Sequence, residues 1–138
     1  MGTIFDTPPR RDPVSHIHDA SKQGDLGKVR DLLKDNPELV FSKDHDGRTP
    51  LHYAACCSPN VVELLLANKA EVNSRCNRGY APLHLAAANG NKAAVELLLS
   101  NRAEVNAKAN NGATPLQEAV AMKEPDVAEL LRRHGGLE

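Results

Sequence analysis

His52 and His84 are the side chains best suited to moving a proton near neutral pH, and each lies three residues after the start of the strings TPLHYAACC and APLHLAAAN. A third such string, TPLQEAVAM, carries Gln117 at the same place. Glutamine cannot act as a general base, and a base would not be installed once per copy. Hydrogen bonding accounts for both residue types. No serine or cysteine nucleophile with a partnered base is visible, so no catalytic residue is assigned. His16, His18 and His45 could gather a metal near the N-terminus, but no carboxylate or cysteine stands beside them at ligand spacing. No metal ligand and no cofactor is expected. Cys56, Cys57 and Cys76 lack the C-x-x-C spacing of a zinc or redox site and read as free thiols. There is neither a P-loop nor a G-x-G-x-x-G turn.

The elements that position these residues have to come from a chain of 138 residues, enough for one core. Hydrophobic residues make up 41% and charged ones 25%, a balance that folds. Aromatics are 3% with no tryptophan, so the apolar content is mostly Ala, Leu and Val, which favours closely spaced helices. Seventeen basic residues against 18 acidic ones give a net charge of −1, with no bulk positive field for nucleic acid or an anionic membrane. Neither is expected as a partner. Three cysteines, two of them adjacent, suit the cytoplasm, with nuclear entry left open. The opening MGTIFDTPPRRDP has no apolar run of signal-peptide length, and Asp6 stands where a myristoylation signal wants Ser or Thr. No stretch approaches a membrane-spanning length.

The three strings are copies of one another. Leu51, Leu83 and Leu116 recur at intervals of 32 and 33 residues, and a second motif follows each: VVELLLANKAEVN from Val61, AVELLLSNRAEVN from Ala94 and VAELLRRHGG from Val127. A degenerate copy, IHDASKQGDLGKVRDLL, begins at Ile17, which makes four units. In each of the last three, proline takes the first helical position, and Thr49 and Thr114 can cap it with a side-chain oxygen. Small residues then recur at helical spacing, Ala54 and Ala55 or Ala86 and Ala87, and allow close helix packing. Gly24 and Gly90 end that first helix. A second helix carries Leu64-Leu65-Leu66 or Leu97-Leu98-Leu99. Asp46-Gly47, Arg78-Gly79 and Asn111-Gly112 then predict two-residue hairpin turns. One such unit cannot bury both faces, so the units must stack in file.

These residues resemble the ankyrin repeat, whose T-P-L-H-x-A signature stands nearly intact from Thr49 to Ala54. The resemblance implies an all-α solenoid of four helix-turn-helix units joined by β-hairpin or turn loops, with the first and last units as caps. It covers residues 15–136 as one domain, with repeats at about 15–45, 46–78, 79–111 and 112–136. Residues 1–14 are expected to form a flexible lead-in. Residues 137–138 are set apart as a tail, with a cloning origin left open, as is the completeness of the array. Lys22, Lys28 and Arg30 in the first unit and Lys123, Arg132 and Arg133 in the last supply the polar cap surfaces. In the family the repeated histidine ties a helix start to the neighbouring hairpin. Lys69 and Arg102 stand where the family usually has glycine, which implies positive φ at both. Ala81 lacks the threonine cap, an expected loss of about 0.5–2 kcal/mol. Ser58-Pro59 replaces a glycine turn in a unit one residue shorter, and the first helix there is expected to end early.

Residues that repeat serve the stack, and residues that differ at equivalent places are free to meet something else. The hairpin tips differ: His45, Asp46 and Arg48; Asn77, Arg78 and Tyr80; Asn110, Asn111 and Ala113. So do the first-helix ends: Lys22 and Gln23, Cys56 and Cys57, Ala88 and Asn89, Ala121 and Met122. By resemblance both sets line one concave groove. The implied function is a non-catalytic, monomeric module that binds a protein partner there, with Tyr80 and Arg78 as anchors and Met122 as an adaptable apolar contact. A second reading takes the chain as a substrate. Asn73 and Asn106, each with a leucine eight residues upstream, resemble the pattern asparaginyl hydroxylases accept in ankyrin repeats. Side-chain hydrogen bonds that hold the hairpin are the alternative role for these asparagines.

Overall fold

Proline at the first helical turn sets φ without sacrificing a needed N–H, and in a computed structural model describing residues 13–137 it opens six of the α-helices. Among the described residues there are eight α-helices and no strand: α1 (Pro13–Gln23), α2 (Leu26–Asp35), α3 (Pro50–Cys57), α4 (Pro59–Ala67), α5 (Pro82–Ala88), α6 (Lys92–Ser100), α7 (Pro115–Ala121) and α8 (Pro125–Arg133). A 3-10 turn, Pro37–Phe41, follows α2. The lead-in expected at 1–14 falls mostly outside the described residues, but helix α1 already starts at Pro13. Thr114 accepts from the Gln117 N–H at 3.2 Å, while Thr49 reaches the His52 N–H at 3.4 Å. Ala81 has no oxygen to offer, and there only the returning half of the cap is made, its N–H donating to His84 Nδ1 at 3.1 Å.

The odd-numbered helices lie against one another in file, α1 on α3 on α5 on α7, and the even-numbered ones form a parallel file behind them. Alanine makes the close approach: Ala54, Ala55, Ala86, Ala87 and Ala119 are fully buried. Leu51, Leu83 and Leu116 occupy equivalent interior places along this spine, at 0%, 1% and 1% exposure. Val61, Val62 and Leu65, then Ala94, Val95 and Leu98, then Val127, Ala128 and Leu131 join the two files. The cap residues of the outer units, Lys22, Lys28, Arg30, Lys123, Arg132 and Arg133, are all exposed.

Two local expectations fail. Helix α3 does not end early: at eight residues it outlasts α5 and α7, which have seven. The missing residue comes out of the turn, because Ser58 closes α3 and opens α4 at once and its hydroxyl donates to the Lys22 carbonyl at 3.2 Å. The hairpin loops hold three residues rather than two. Asp44 N–H bonds the Arg48 carbonyl at 3.0 Å around a loop whose last residue, Gly47, has φ +78° and donates to the Asp44 carbonyl at 2.9 Å. The pairs Cys76–Tyr80 and Ala109–Ala113 close the next two loops in the same way. A left-handed third residue is what a three-residue loop requires. At Gly47 a side chain is excluded twice over, since a Cβ would stand 2.4 Å from the Asn77 side-chain oxygen of the next tip.

The positive φ expected at Lys69 and Arg102 is present, at 71° and 70°. Lys123 is a third such residue, at 59°, in the turn that Gly24 and Gly90 make in earlier units.

Candidate functional site

The three hairpin tips form a row. Asn77 N–H bonds the Asp46 carbonyl at 2.8 Å, and Asn110 N–H bonds the Arg78 carbonyl at 3.0 Å. The same asparagines donate through their side-chain amides, Asn77 to the His45 carbonyl at 3.0 Å and Asn110 to the Asn77 carbonyl at 2.9 Å. Two pockets open along the row. The first, about 250 Å³, is lined by Asp46, Arg48, Cys76, Asn77 and Arg78. The second, about 270 Å³, is lined by Arg78, Tyr80, Asn110 and Asn111, so Arg78 is a wall of both. Tyr80 packs edge-on against the His84 ring at 5.5 Å, and its hydroxyl accepts from Asn111 Nδ2 at 3.3 Å. His45 is almost fully exposed, with its ring 3.7 Å from the Asp46 carboxylate.

Cys57, Asn89 and Met122 line neither pocket. Cys57 is exposed at the end of α3, and Met122, 57% exposed, caps α7. Asn89 bends back to donate to the Leu85 carbonyl at 2.7 Å in its own helix.

Beneath the tips runs a set of buried histidine rungs. His52 Nδ1 accepts from the Thr49 N–H at 3.0 Å, and Nε2 donates to the Tyr80 carbonyl of the next hairpin at 2.8 Å. His84 does the same, accepting from Ala81 and donating to the Ala113 carbonyl at 2.9 Å. Both roles require the neutral ring. Burial lowers the His52 pKa from 6.5 to about 4, although the Tyr80 carbonyl opposes the shift, and burial lowers that of His84 too. His18 makes the equivalent bond in the first unit, Nε2 to the Arg48 carbonyl at 2.8 Å. Weighed above as a metal candidate with His16 and His45, it is instead a rung. Among the described residues no three His, Cys, Asp or Glu side chains gather as ligands.

Asn73 and Asn106 serve the opposite loops. Asn73 donates to the Arg102 carbonyl at 3.3 Å and accepts from the Glu104 N–H at 2.8 Å. Asn106 repeats both bonds with Gly135 and Leu137, at 3.0 and 2.8 Å. Both amides are thus used at both ends to tether the following unit.

Comparison with known proteins agrees with this geometry. The sequence model of the family described as "Ankyrin repeats (3 copies)" matches residues 17–109 and 59–137, which together take in most of the chain. The chain belongs to the ankyrin-repeat family. Among its relatives, the "Probable 26S proteasome regulatory subunit p28" of Saccharomyces cerevisiae is 34% identical over 79 residues, 54% of this chain and 35% of that protein. Human inversin is 35% identical over 79 residues, 56% of this chain and 7% of its own length. The rice "BTB/POZ domain and ankyrin repeat-containing protein NPR3" is 40% identical over 75 residues, 53% of this chain and 12% of its own. The chain thus matches about a third or less of the length of these relatives. Ankyrin repeats generally mediate protein–protein interaction, and the family is generally non-catalytic.

This ankyrin array also holds a cluster that the tip-and-helix-end reading passed over. Tyr53 donates to the Asp44 carboxylate, packs edge-on against His18 at 5.3 Å and lies under the Arg48 guanidinium at 5.8 Å. Burial and then the Asp44 bond push the Tyr53 pKa up to about 12. Burial works against the Asp44 charge, but bonds from Tyr53, Arg48 N–H and Asp46 N–H outweigh it and leave its pKa lowered. A pocket of about 300 Å³ opens between this pair and His18, Asp19, Lys22 and His45. The signal was available: Tyr53 has Leu85 and Glu118 as its counterparts, so it varies just as the tips do. The three cysteines are free thiols. Burial and then the Cys57 thiol raise the Cys56 pKa to about 11, which suppresses the thiolate a nucleophile needs. Among the described residues no helix is long and apolar enough to cross a membrane.

Proposed function

We propose that this ankyrin array is a binding module without catalytic activity of its own, gripping one protein partner through the groove of hairpin tips and first-helix ends. The observation that carries it is the division of labour along the tip row. Asn77 and Asn110 spend their amides on the stack, while Arg78 makes no side-chain hydrogen bond or ion pair among the described residues and walls two adjoining pockets with Tyr80 and Arg48. Arginine and tyrosine are the residue types that dominate interface energetics. The relatives' names span a proteasome subunit, a kinase and a ubiquitin ligase, a spread that favours a shared gripping part over a shared reaction.

The test is affinity capture from the native host with the intact chain and with an Arg78→Ala, Tyr80→Ala double variant, the retained proteins being identified by mass spectrometry. Each substitution alone weakens the captured partner by more than about 1 kcal/mol. A partner held equally by native and double variant places the binding surface elsewhere.

A further inference from the structure

We infer that the pocket between the first two hairpin tips receives a carboxylate side chain from an extended acidic segment of the protein partner, an inference that rests on the groove reading above. The pocket is about 250 Å³, and two of its five lining residues are arginines from successive hairpin tips, Arg48 and Arg78. Neither guanidinium has an acidic side chain as hydrogen-bonding or ion-pair partner among the described residues. Arg48 lies over the Tyr53 ring and is half-buried. Arg78 is exposed and uncommitted.

The third charge of the wall is the Asp46 carboxylate. Two guanidinium cations and one carboxylate leave one positive charge, which a single partner carboxylate neutralises through charge-assisted N–H···O bonds. A phosphate, with nearly two negative charges, would exceed that balance and be repelled more strongly by Asp46 than a carboxylate. Asp44, two residues before Asp46, accepts from Tyr53 and from the Asp46 and Arg48 N–H groups, and among the described residues its carboxylate forms no ion pair with either arginine. An extended segment is the fitting geometry because the next pocket, with Tyr80 and Asn111, shares Arg78 and lies along the same row of tips. A residue neighbouring the acidic one would rest there against the tyrosine ring.

The test selects peptides from a random-sequence display library on the full chain, then measures affinities of synthetic peptides carrying Glu, Gln or phosphoserine at the consensus position. Acidic residues should be enriched, and replacing the consensus Glu by Gln should cost about tenfold in affinity. Arg78→Gln should cost the Glu peptide a similar factor and the Gln peptide less, so that the preference for Glu over Gln shrinks. Arg48→Gln should behave alike, its unfolding midpoint being checked because that side chain is half-buried. If selected peptides are lost with Tyr80→Ala yet bind equally with Glu or Gln, the carboxylate inference falls and the groove reading stands. If none depends on Tyr80 or Arg78, both fall. Tighter binding of phosphoserine than of Glu also overturns the inference.

Discussion

At the helix starts, His18, His52 and His84 donate to the carbonyls of Arg48, Tyr80 and Ala113 from buried sites, whereas at the tips Asn77 and Asn110 donate to the carbonyls of His45 and Asn77 in the open. The bonds differ little in length, 2.8–2.9 Å against 2.9–3.0 Å, and both sets tie one unit to the next. They differ in what replaces them when broken. A tip carbonyl that loses its asparagine finds water. A buried carbonyl and N–H that lose their imidazole stay unmet, at about 1–3 kcal/mol for each group. The lesson is that stability is concentrated in the spine, and if the tips bind the partner as proposed, substitutions in the two regions should separate stability from binding.

The largest effect tests the spine itself. Leu83→Ala, at a fully packed position, should lower unfolding free energy by about 3–5 kcal/mol in denaturant titration. His52→Ala should follow at about 2–4 kcal/mol, since it leaves the Tyr80 carbonyl and Thr49 N–H unpaired beside a cavity.

The same rung sets a pH dependence. The folded pKa of His52, about 4, lies below the ordinary 6.5, so protons favour the unfolded chain. Its contribution is fully present above about pH 6.5 and is lost as pH falls toward 4, on the order of 2–3 kcal/mol, with His84 acting in the same direction. Denaturation midpoints of native protein and His52→Gln over that range check this. The variant should show a shallower acid loss, glutamine being what the fourth unit uses at Gln117.

At the tips the expected numbers shrink. Asn77→Ala should cost only about 0.5–1 kcal/mol, and a loss equal to that of His52→Ala would erase the distinction between buried and exposed rungs. Of similar size and opposite in sign, Lys69→Gly, Arg102→Gly and Lys123→Gly should each stabilise by about 0.5–1 kcal/mol by relieving a left-handed side-chain residue.

The stack was legible because repetition reports on contacts that every unit must make: Leu51, Leu83 and Leu116, the alanine pairs and the proline starts all fall where equal spacing puts them. Loop length was not, since a glycine of positive φ ends a three-residue loop as readily as it enters a two-residue one. The end of α3 was not legible either, because a missing residue can leave either a helix or a turn, and Ser58 shows that the turn yields it. At the tips, variation pointed to Arg48, Arg78 and Tyr80, but Asn77 and Asn110 occupy one equivalent place and their recurrence already marked them as stack residues. His18 escaped notice as a rung because the first unit lacks the proline and leucine that frame its counterparts.

The separation of spine from tips is tested most directly with Arg78→Ala, by measuring on one sample its unfolding midpoint and its affinity for the partner that the native chain retains. The midpoint should stay where it is in the native protein while affinity falls by more than about 1 kcal/mol. A variant that binds that partner as tightly as the native chain, or that loses binding only by unfolding, would contradict the account.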